Sequence, residues 1–466
     1  MQTSLETLKS FLREDQIFTD ADSLKTYGRD WTRYVEPQPL AIVFPKTTEE
    51  VAQIVRWARK TKTSIVPSGG RTGLSGAAVA AKKELVLSLE KMNKELEFNE
   101  LDSTLRVEAG MVTEDLQNLA KEKELYFPVD FASRGSSQIG GNVSTNAGGI
   151  KVLKYGLIRN WIAALKVVTG AGEVLELNKS LVKNASGYDL RHLMIGSEGT
   201  LGIVTEVTVR LCPPTGPLNL FLMGVPNLDA VMKIFEEYRN RTDLIAFELF
   251  TDKALKHVLN HAPSLKKPFE TAAPIYLLVE VETPSEQSQE QALGVFESLT
   301  EQGLVVDGVL SQNENQSKDF WRLREDISEA LSRYTPYKND ISVKVSNVPQ
   351  FMRDIDTIFS KEYPDLEVIW FGHIGDGNLH ISILKPTDMP MPEFVKRCQK
   401  VDQHLYSSIQ KFGGSISAEH GVGLTKKPFL QFTRSPEEIQ LMRQIKRVFD
   451  PDYILNPGKI FDETPK

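Results

Sequence analysis

The sequence predicts an α+β protein: a first half of β-α-β character rich in glycine loops, then an antiparallel half with helices packed on it. Three observations predict this class. A strand at Leu40–Phe44, a helix with apolar residues at Val51, Ile54, Val55 and Ala58, and a strand at Thr63–Val66 open the chain as a β-α-β unit. Cys212-Pro-Pro-Thr-Gly-Pro217 breaks the chain near its middle, and the order beyond it becomes β-α-β-β-α-β. The stretch Phe371–His380 sets Asp376-Gly377 between two β-forming runs, a strong hairpin signal.

The bulk properties narrow the function classes. A chain of 466 residues has room for two or three domains with large cores. Its 25% charged and 41% hydrophobic residues are ordinary for a soluble globular protein. A net charge of -7 argues against nucleic acid or an anionic membrane surface as partner. Cys212 and Cys398 make no disulfide framework, no Cys-x-x-Cys and no iron–sulfur pattern. Met1–Asp15 reads as an amphipathic helix without the basic start and apolar core of a signal peptide. No run approaches the ~18 apolar residues of a membrane span. The expected location is the cytoplasm, at most peripheral to the inner membrane.

The first half turns on glycine. Thr47 opens the first long helix, with Glu50 three residues on as a capping box. Pro67-Ser-Gly-Gly-Arg-Thr-Gly-Leu-Ser-Gly76 follows the second strand; its main-chain N–H groups can turn inward and hold phosphate. It fits neither Gly-x-Gly-x-x-Gly nor a P-loop, and Ala77–Glu84 is too short for a full crossover helix before the strand Leu85–Leu89. A glycine-rich surface turn is the bland alternative. Two more such segments, Arg134–Gly149 and Gly196–Gly202, favour one long cofactor held mainly by main chain.

Pro67–Gly76, Gln138–Gly149 and Gly196–Arg210 resemble, in order and spacing, the FAD-binding domain of the vanillyl-alcohol-oxidase/PCMH flavoprotein superfamily. The resemblance implies a PCMH-type FAD-binding domain over residues 1–215, with the FAD pyrophosphate on the first loop. It implies FAD contacts at Pro67, Gly69, Gly70, Arg71, Thr72 and Gly73, and at Gly140, Gly141, Asn142, Thr145, Asn146, Gly148 and Gly149. Tyr155, Gly156, Glu198, Gly199, Gly202 and Ile203 complete the set in this half. None of the three segments holds histidine or cysteine, so the FAD is expected to be non-covalent; His192, nearest to them, reads as structural.

Beyond residue 217 the reading is strand 218–224, helix 227–239, strands 244–250 and 275–282, helix 285–302 and strand 304–311. That is a ferredoxin-like antiparallel sheet with helices on one face, suited to a cap over residues 216–430. Residues 251–273, with His257 and His261, read as a surface excursion. A long helix over 315–333 carries Arg324, and a strand over 341–345 follows Lys338. Guanidinium matches carboxylate geometry, so Arg324 is a candidate carboxylate clamp; a solvated helix arginine is the alternative.

In the hairpin, a two-residue Asp376-Gly377 loop sets Gly375 against Asn378, Ile374 against Leu379, and His373 against His380. Opposed residues have Cβ atoms about 4.5–5.5 Å apart, close enough for two imidazoles to share a metal ion. The alternative is two polar residues on a solvated face. A helix over 349–361 precedes the hairpin and another over 392–410 follows it. Glu419, in Ser415-Ile-Ser-Ala-Glu-His-Gly421, then offers a third ligand, leaving positions open for substrate. Successive side chains of an extended chain point apart, so His420 reads as a base rather than a fourth ligand.

Leu323-Arg-Glu-Asp-Ile-Ser-Glu-Ala-Leu331 and the segments around it resemble the FAD-linked oxidase C-terminal domain of D-2-hydroxyacid dehydrogenases, nearest the D-2-hydroxyglutarate branch. The resemblance implies substrate binding at Arg324, Ser328 and Lys338, metal binding at Glu419 and catalysis at His420. It also marks Ser382 as a substrate position, where that branch usually carries asparagine. After a helix over 435–448, the tail Asp450–Lys459 is similar to the family's C-terminal segment; residues 431–466 are expected to return to the flavin, with Asn456 near the ring.

The chemistry expected of these parts is oxidation of a D-2-hydroxy acid, D-2-hydroxyglutarate or D-lactate, to its 2-oxo acid, with hydride passing to flavin. Arg324 and Lys338 hold the carboxylate, the metal acidifies the hydroxyl, and His420 takes its proton. Zinc is the expected ion; manganese or iron also suits the donor set. The electron acceptor is expected to be an electron-transfer flavoprotein, a quinone or a cytochrome, and a homodimer is compatible. Two other classes share the plan: a glycolate-oxidase-type subunit with iron–sulfur partners, and a non-redox transferase resembling alkylglycerone-phosphate synthase.

Overall fold

The structure is a computed structural model that describes residues 5–32 and 35–462. The chain divides into two compact units. One holds Met1–Gly149, Gly156–Pro214 and Glu419–Lys466; the other holds Ile150–Tyr155 and Thr215–Ala418.

The first unit begins with β1 (Ile17–Phe18), α1 (Ala21–Tyr27), β2 (Ala41–Val43), α2 (Thr48–Thr61), β3 (Ile65–Ser68) and β4 (Leu85–Ser88). The four strands form a sheet in the order β1-β2-β4-β3, with β2, β4 and β3 parallel. The crossover between β3 and β4 has no helix; the glycine segment itself spans it. Val51, Ile54, Val55 and Ala58 of α2 are fully buried, as their spacing requires. The capping box at its start is half formed. Thr47 Oγ1 accepts from Glu50 N at 3.1 Å, but the Glu50 carboxylate accepts from Lys46 N at 2.7 Å and Gln16 Nε2 at 2.8 Å instead.

Of the amphipathic helix expected over Met1–Asp15, Leu5 and Glu6 are α-helical, and 3-10 turns at Thr7–Ser10 and Glu14–Gln16 follow, with Leu8 and Leu12 buried; residues 1–4 lie outside the described residues. The unit continues with β5 (Glu95–Asn99), β6 (Thr104–Glu108), α3 (Thr113–Glu122), α4 (Ile139–Thr145), β7 (Ile162–Thr169), β8 (Val174–Leu177) and β9 (Gly202–Arg210). These strands make an antiparallel sheet in the order β5-β6-β9-β7-β8.

The second unit runs β10 (Leu218–Val225), α5 (Leu228–Arg241), β11 (Asp243–Thr251), α6 (Asp252–His261), β12 (Ile275–Glu282), α7 (Glu286–Glu301) and β13 (Asp307–Leu310). It then adds α8 (Glu314–Glu325), α9 (Ile327–Ser332), β14 (Tyr337–Ser342), α10 (Val348–Glu362), β15 (Glu367–Gly372), β16 (Asn378–Leu384) and α11 (Met391–Lys411). Its seven strands form one antiparallel sheet in the order β13-β10-β12-β11-β15-β16-β14. The first four strands thus take the 4-1-3-2 order of a ferredoxin-like unit, and the hairpin strands extend it.

Helices pack on both faces of this sheet, not on one. Phe221 meets Tyr238 of α5 and Phe296 of α7 with ring centroids 5.7 and 5.6 Å apart. On the other face Phe250, Tyr276, Ile369 and Phe371 share a core with Leu255 and Val258 of α6, Leu323 of α8 and Ile327 of α9. Residues 251–273 are therefore not a surface excursion; they carry a helix that builds this second core. The long helix expected over 315–333 breaks at Asp326, a residue whose side chain competes for backbone partners and favours helix ends.

The chain then returns to the first unit through α12 (Pro436–Phe449), opened by a capping box between Ser435 and Glu438. Lys446 Nζ is buried and donates to Thr200 O, Asp450 Oδ2 and Leu455 O at 2.8, 2.7 and 2.9 Å. The same Asp450 carboxylate accepts from Ile454 N and Leu455 N. This staple fixes the tail so that Ile65 N donates to Ile454 O and Asn456 N donates to Ile65 O, both at 2.7 Å.

Candidate active site

In the first unit the glycine segments approach one another through main chain. A Cβ on Gly70 would stand 2.0 Å from Ser136 O, and one on Gly149 2.1 Å from Asp130 O. Gly140 faces Ala109, whose Cβ would lie 2.7 Å away, whereas Gly141 meets nothing within 4 Å. Close by in sequence, Ser68 Oγ, Gln138 Oε1 and Asn146 Oδ1 are buried without a hydrogen-bond partner, as is Asn456 Oδ1 in the tail. Buried polar atoms without partners are rare and call for a bound group. Open glycine faces with unclaimed polar atoms beside them fit a long cofactor such as FAD.

Not every residue expected to touch it presents its side chain. Asn142 Nδ2 donates to Thr113 Oγ1 at 2.5 Å. Ile203 lies in the hydrophobic core. Arg71 sits 4.3 Å over the Tyr27 ring and 3.7 Å from Glu90. The buried Glu198 carboxylate, its pKa raised by burial, accepts from Val422 N and Gly423 N at 2.7 and 2.8 Å. Asn456 Nδ2 donates to Ala77 O and Glu198 O. Gly199 and Gly156 take positive φ, 68° and 73°, at chain turns. His420 is anchored by its main chain: Ser75 Oγ, at the end of the first glycine loop, donates to His420 O at 2.8 Å.

The hairpin in the second unit differs from the expected two-residue turn. His380 pairs with Phe371, and Ile374–Asp376 form a 3-10 turn between the strands. The third strand sets this register: Asn378 Nδ2 donates to Asp340 Oδ1 and Ile341 O at 2.8 and 2.9 Å. Gly377 is required because a Cβ there would stand 2.0 Å from Val343 O. The two imidazoles still meet, His373 from the turn and His380 from β16, with ring centroids 5.4 Å apart.

Each Nδ1 faces a buried carboxylate. His373 Nδ1 lies 2.7 Å from Glu248 Oε1, and His380 Nδ1 lies 3.5 Å from Asp340 Oδ1. A carboxylate at Nδ1 leaves Nε2 as the ligating nitrogen, the arrangement found behind metal-bound histidines. Burial, together with the charges of Glu248 and Asp340, raises the Asp376 carboxyl to about 6. A buried surplus of carboxylates around two imidazoles fits a divalent cation.

Strand registers put the substrate candidates on this same face. Phe250, Phe371, His380 and Asp340 stand in one row across β11, β15, β16 and β14. Ile369, Ser382 and Lys338 stand in the next. Arg324 reaches the face from α8 with its Cζ 5.0 Å from the Phe371 ring centroid. It is only 6% exposed, and its Nε and Nη2 donate no hydrogen bond. Nη2 lies 2.8 Å from Glu248 Oε2 as an ion pair, off the hydrogen-bonding direction. Nε and Nη2, neither of which makes a hydrogen bond, are the side edge of the guanidinium, the edge that grips a carboxylate bidentately. Lys338 and Ser328 are exposed, and Ser382 is buried.

Sequence reasoning missed Glu248 and Asp340. The signal for Glu248 was present: it is the lone charge inside the apolar run Leu244–Phe250. The pair His257 and His261 binds elsewhere, to Glu367 and Glu329 at 3.1 and 3.8 Å. Among the described residues no helix is long and apolar enough to cross a membrane.

Residues 39–178 match the family model of the FAD binding domain, and residues 218–460 match that of FAD linked oxidases, C-terminal domain. The chain is 55% identical over 457 residues to a D-2-hydroxyglutarate dehydrogenase of Stutzerimonas stutzeri (strain A1501), covering 98% of each chain. It is 55% identical over 444 residues to one of Xanthomonas citri pv. viticola, covering 95% of this chain and 94% of that one. Among solved structures, 4-ethylphenol oxidase from Gulosibacter chungangensis shares the fold with a TM-score of 0.78 at 17% identity, over 99% of this chain and 97% of that one. The chain belongs to the FAD-linked D-2-hydroxyacid dehydrogenases of the vanillyl-alcohol-oxidase/PCMH flavoprotein superfamily.

Proposed function

We propose that this protein oxidises D-2-hydroxyglutarate to 2-oxoglutarate with the help of a divalent cation, zinc first, and hands the electrons to a separate acceptor. The observation that carries the reading is Arg324: a buried guanidinium whose Nε and Nη2 make no hydrogen bond, on the sheet face that also bears His380 and Lys338. The two relatives at 55% identity, both named for D-2-hydroxyglutarate, support the diacid. When bound, FAD would accept the hydride and the cation would acidify the hydroxyl. His373 and His380 would hold the cation through Nε2, with Glu419 as third ligand. Support for Glu419 comes from chain continuity: Ser415 is bridged to Ser342 at the end of β14, and Glu419 follows four residues later. Arg324 and Lys338 grip the substrate carboxylate and orient the carbon. His420 takes the hydroxyl proton. The residues named for FAD in the first unit bind it non-covalently.

On this reading residues 1–215 hold flavin, 216–430 hold substrate, and 431–466 complete the flavin site. The acceptor is an electron-transfer flavoprotein, a quinone or a cytochrome, reached from the cytoplasm. D-Lactate is a second reading, favoured by Ser382, which supplies a hydroxyl where the diacid branch usually has asparagine. Anaerobic addition of each D-acid to the yellow, metal-loaded protein tests both. Bleaching of the flavin band by D-2-hydroxyglutarate at lower concentration than by D-lactate, with the L-isomers inert, is the expected result. No bleaching by any 2-hydroxy acid would sink the proposal.

A further inference from the structure

Glu248 stands in the middle of β11 with 1% of its surface exposed. A lone buried carboxylate is costly unless it is paired; Glu248 Oε2 makes no hydrogen bond and is held by an ion pair alone. Its two oxygens go to two different functions. Oε1 lies 2.7 Å from His373 Nδ1. Oε2 lies 2.8 Å from Arg324 Nη2. Glu248 shares its sheet face with Phe250, over whose row-mate Phe371 the guanidinium stacks.

We infer that Glu248 is a positioning residue that couples the cation site to the substrate-carboxylate site. Its first oxygen accepts the Nδ1 proton, so His373 presents Nε2 to the cation in one tautomer and one ring orientation. Its second oxygen balances the charge of Arg324 without using up the Nε and Nη2 hydrogen bonds, which stay directed at an incoming carboxylate. One rigid group therefore sets the separation between the atom that receives the hydroxyl and the atoms that receive the carboxylate. A 2-hydroxy acid carries these two groups on adjacent carbons, so that separation is the recognition element. This inference rests on the proposed hydroxy-acid oxidation.

The test uses full-length, flavin-loaded protein. Zinc affinity is measured without substrate, by competition with a chromophoric chelator, and KM and kcat are measured with D-2-hydroxyglutarate. Glu248→Gln and Glu248→Ala are both expected to bind zinc about tenfold to a hundredfold more weakly. At saturating zinc, KM should still rise by about tenfold or more, because the arginine has lost its anchor. Arg324→Lys should raise KM with zinc affinity unchanged, and adding Glu248→Gln to it should raise KM by less than the product of the single effects. If Glu248→Gln changes only zinc affinity, or only KM, the coupling role is overturned. If neither variant folds, 15N-histidine spectra of the wild-type zinc form decide. A proton on Nδ1 of His373 is expected, and a zinc-bound Nδ1 overturns the inference. A wild-type protein that binds zinc and is reduced by the hydroxy acid while Glu248→Gln behaves identically removes this inference alone. A wild-type protein that does neither removes the proposed function beneath it.

Discussion

Gly141 offers a perturbation in which stability and cofactor binding should move in opposite directions. It is the third residue of α4, and a Cβ there meets no protein atom within 4 Å. Alanine in a helix is favoured over glycine by about 0.8–1 kcal/mol. Gly141→Ala should therefore raise the melting temperature of flavin-stripped protein by about 2 °C, taking that gain over a large unit. If the open face of Gly141 is the bed of the FAD, the new methyl group overlaps the cofactor. Overlap of this size costs about 1–3 kcal/mol, which is roughly a fivefold to hundredfold loss of FAD affinity. Reconstitution of stripped protein, followed by quenching of flavin fluorescence, reads the affinity, and a thermal melt reads the stability. Gly70→Ala is the contrast. Its Cβ would stand 2.0 Å from a main-chain oxygen, so stripped protein should melt lower. Unchanged FAD affinity in Gly141→Ala would refute the assignment of that face to the cofactor.

Four further outcomes are expected. His373→Ala should lose zinc by metal analysis while keeping its flavin absorbance, because His373 belongs to the second unit and the three glycine segments to the first. Tyr337→Phe removes a hydrogen bond to the buried Asp402 carboxylate and should cost about 1.5–3 kcal/mol in urea unfolding. Burial lowers the Lys459 ammonium to about 8 from 10.5, with Glu84 3.9 Å away offsetting part of the cost. Between those values the unfolded chain holds a proton that the folded chain lacks, so this group makes stability rise from pH 8 to 10.5. Lys459→Met should be more stable at pH 7 by up to about 3 kcal/mol, and the gap should close toward pH 10.5 in denaturant titrations. Burial and the neighbouring Asp402 push the Cys398 thiol up to about 12, so at pH 8.5 it should resist alkylation in the folded protein and react once the protein is unfolded, as mass spectrometry would read.

What the sequence made legible follows from where its signals are local. The chain break within Cys212–Pro217, the apolar side of α2 and the β-α-β-β-α-β order beyond the break come from periods and breakers within short windows, and the structure has all three. The hairpin was found by its Asp-Gly pair, but its register was not, because Asn378 is bound by β14, a strand nearly forty residues away. That strand was itself read several residues late. Tyr337 and Asn339 look like loop residues, yet half-buried Tyr337 is hydrogen-bonded to Asp402, and buried Asn339 to Asp402 and Tyr406, of α11. Glu248 and Asp340 were missed for the same reason: a carboxylate gains its meaning from a partner that sequence distance hides. Arg324 was singled out by the company of its motif, and only the structure pairs its Nη2 with Glu248.

The return of the tail to β3 has a consequence for how the chain is made. The first unit is discontinuous: its last segment, Glu419–Lys466, comes after the whole of Thr215–Ala418. The second unit is nearly contiguous and can close while the ribosome is still at work. The first cannot, since the N–H of Ile65 waits for the carbonyl of Ile454, and the buried Lys446 waits for Asp450 and Leu455. Nearly four hundred residues separate β3 from that partner, and such distant pairings form late and expose apolar surface until they do. The nascent first unit therefore lacks the β3 pairing until Ile454 has emerged, long after β3 itself was made.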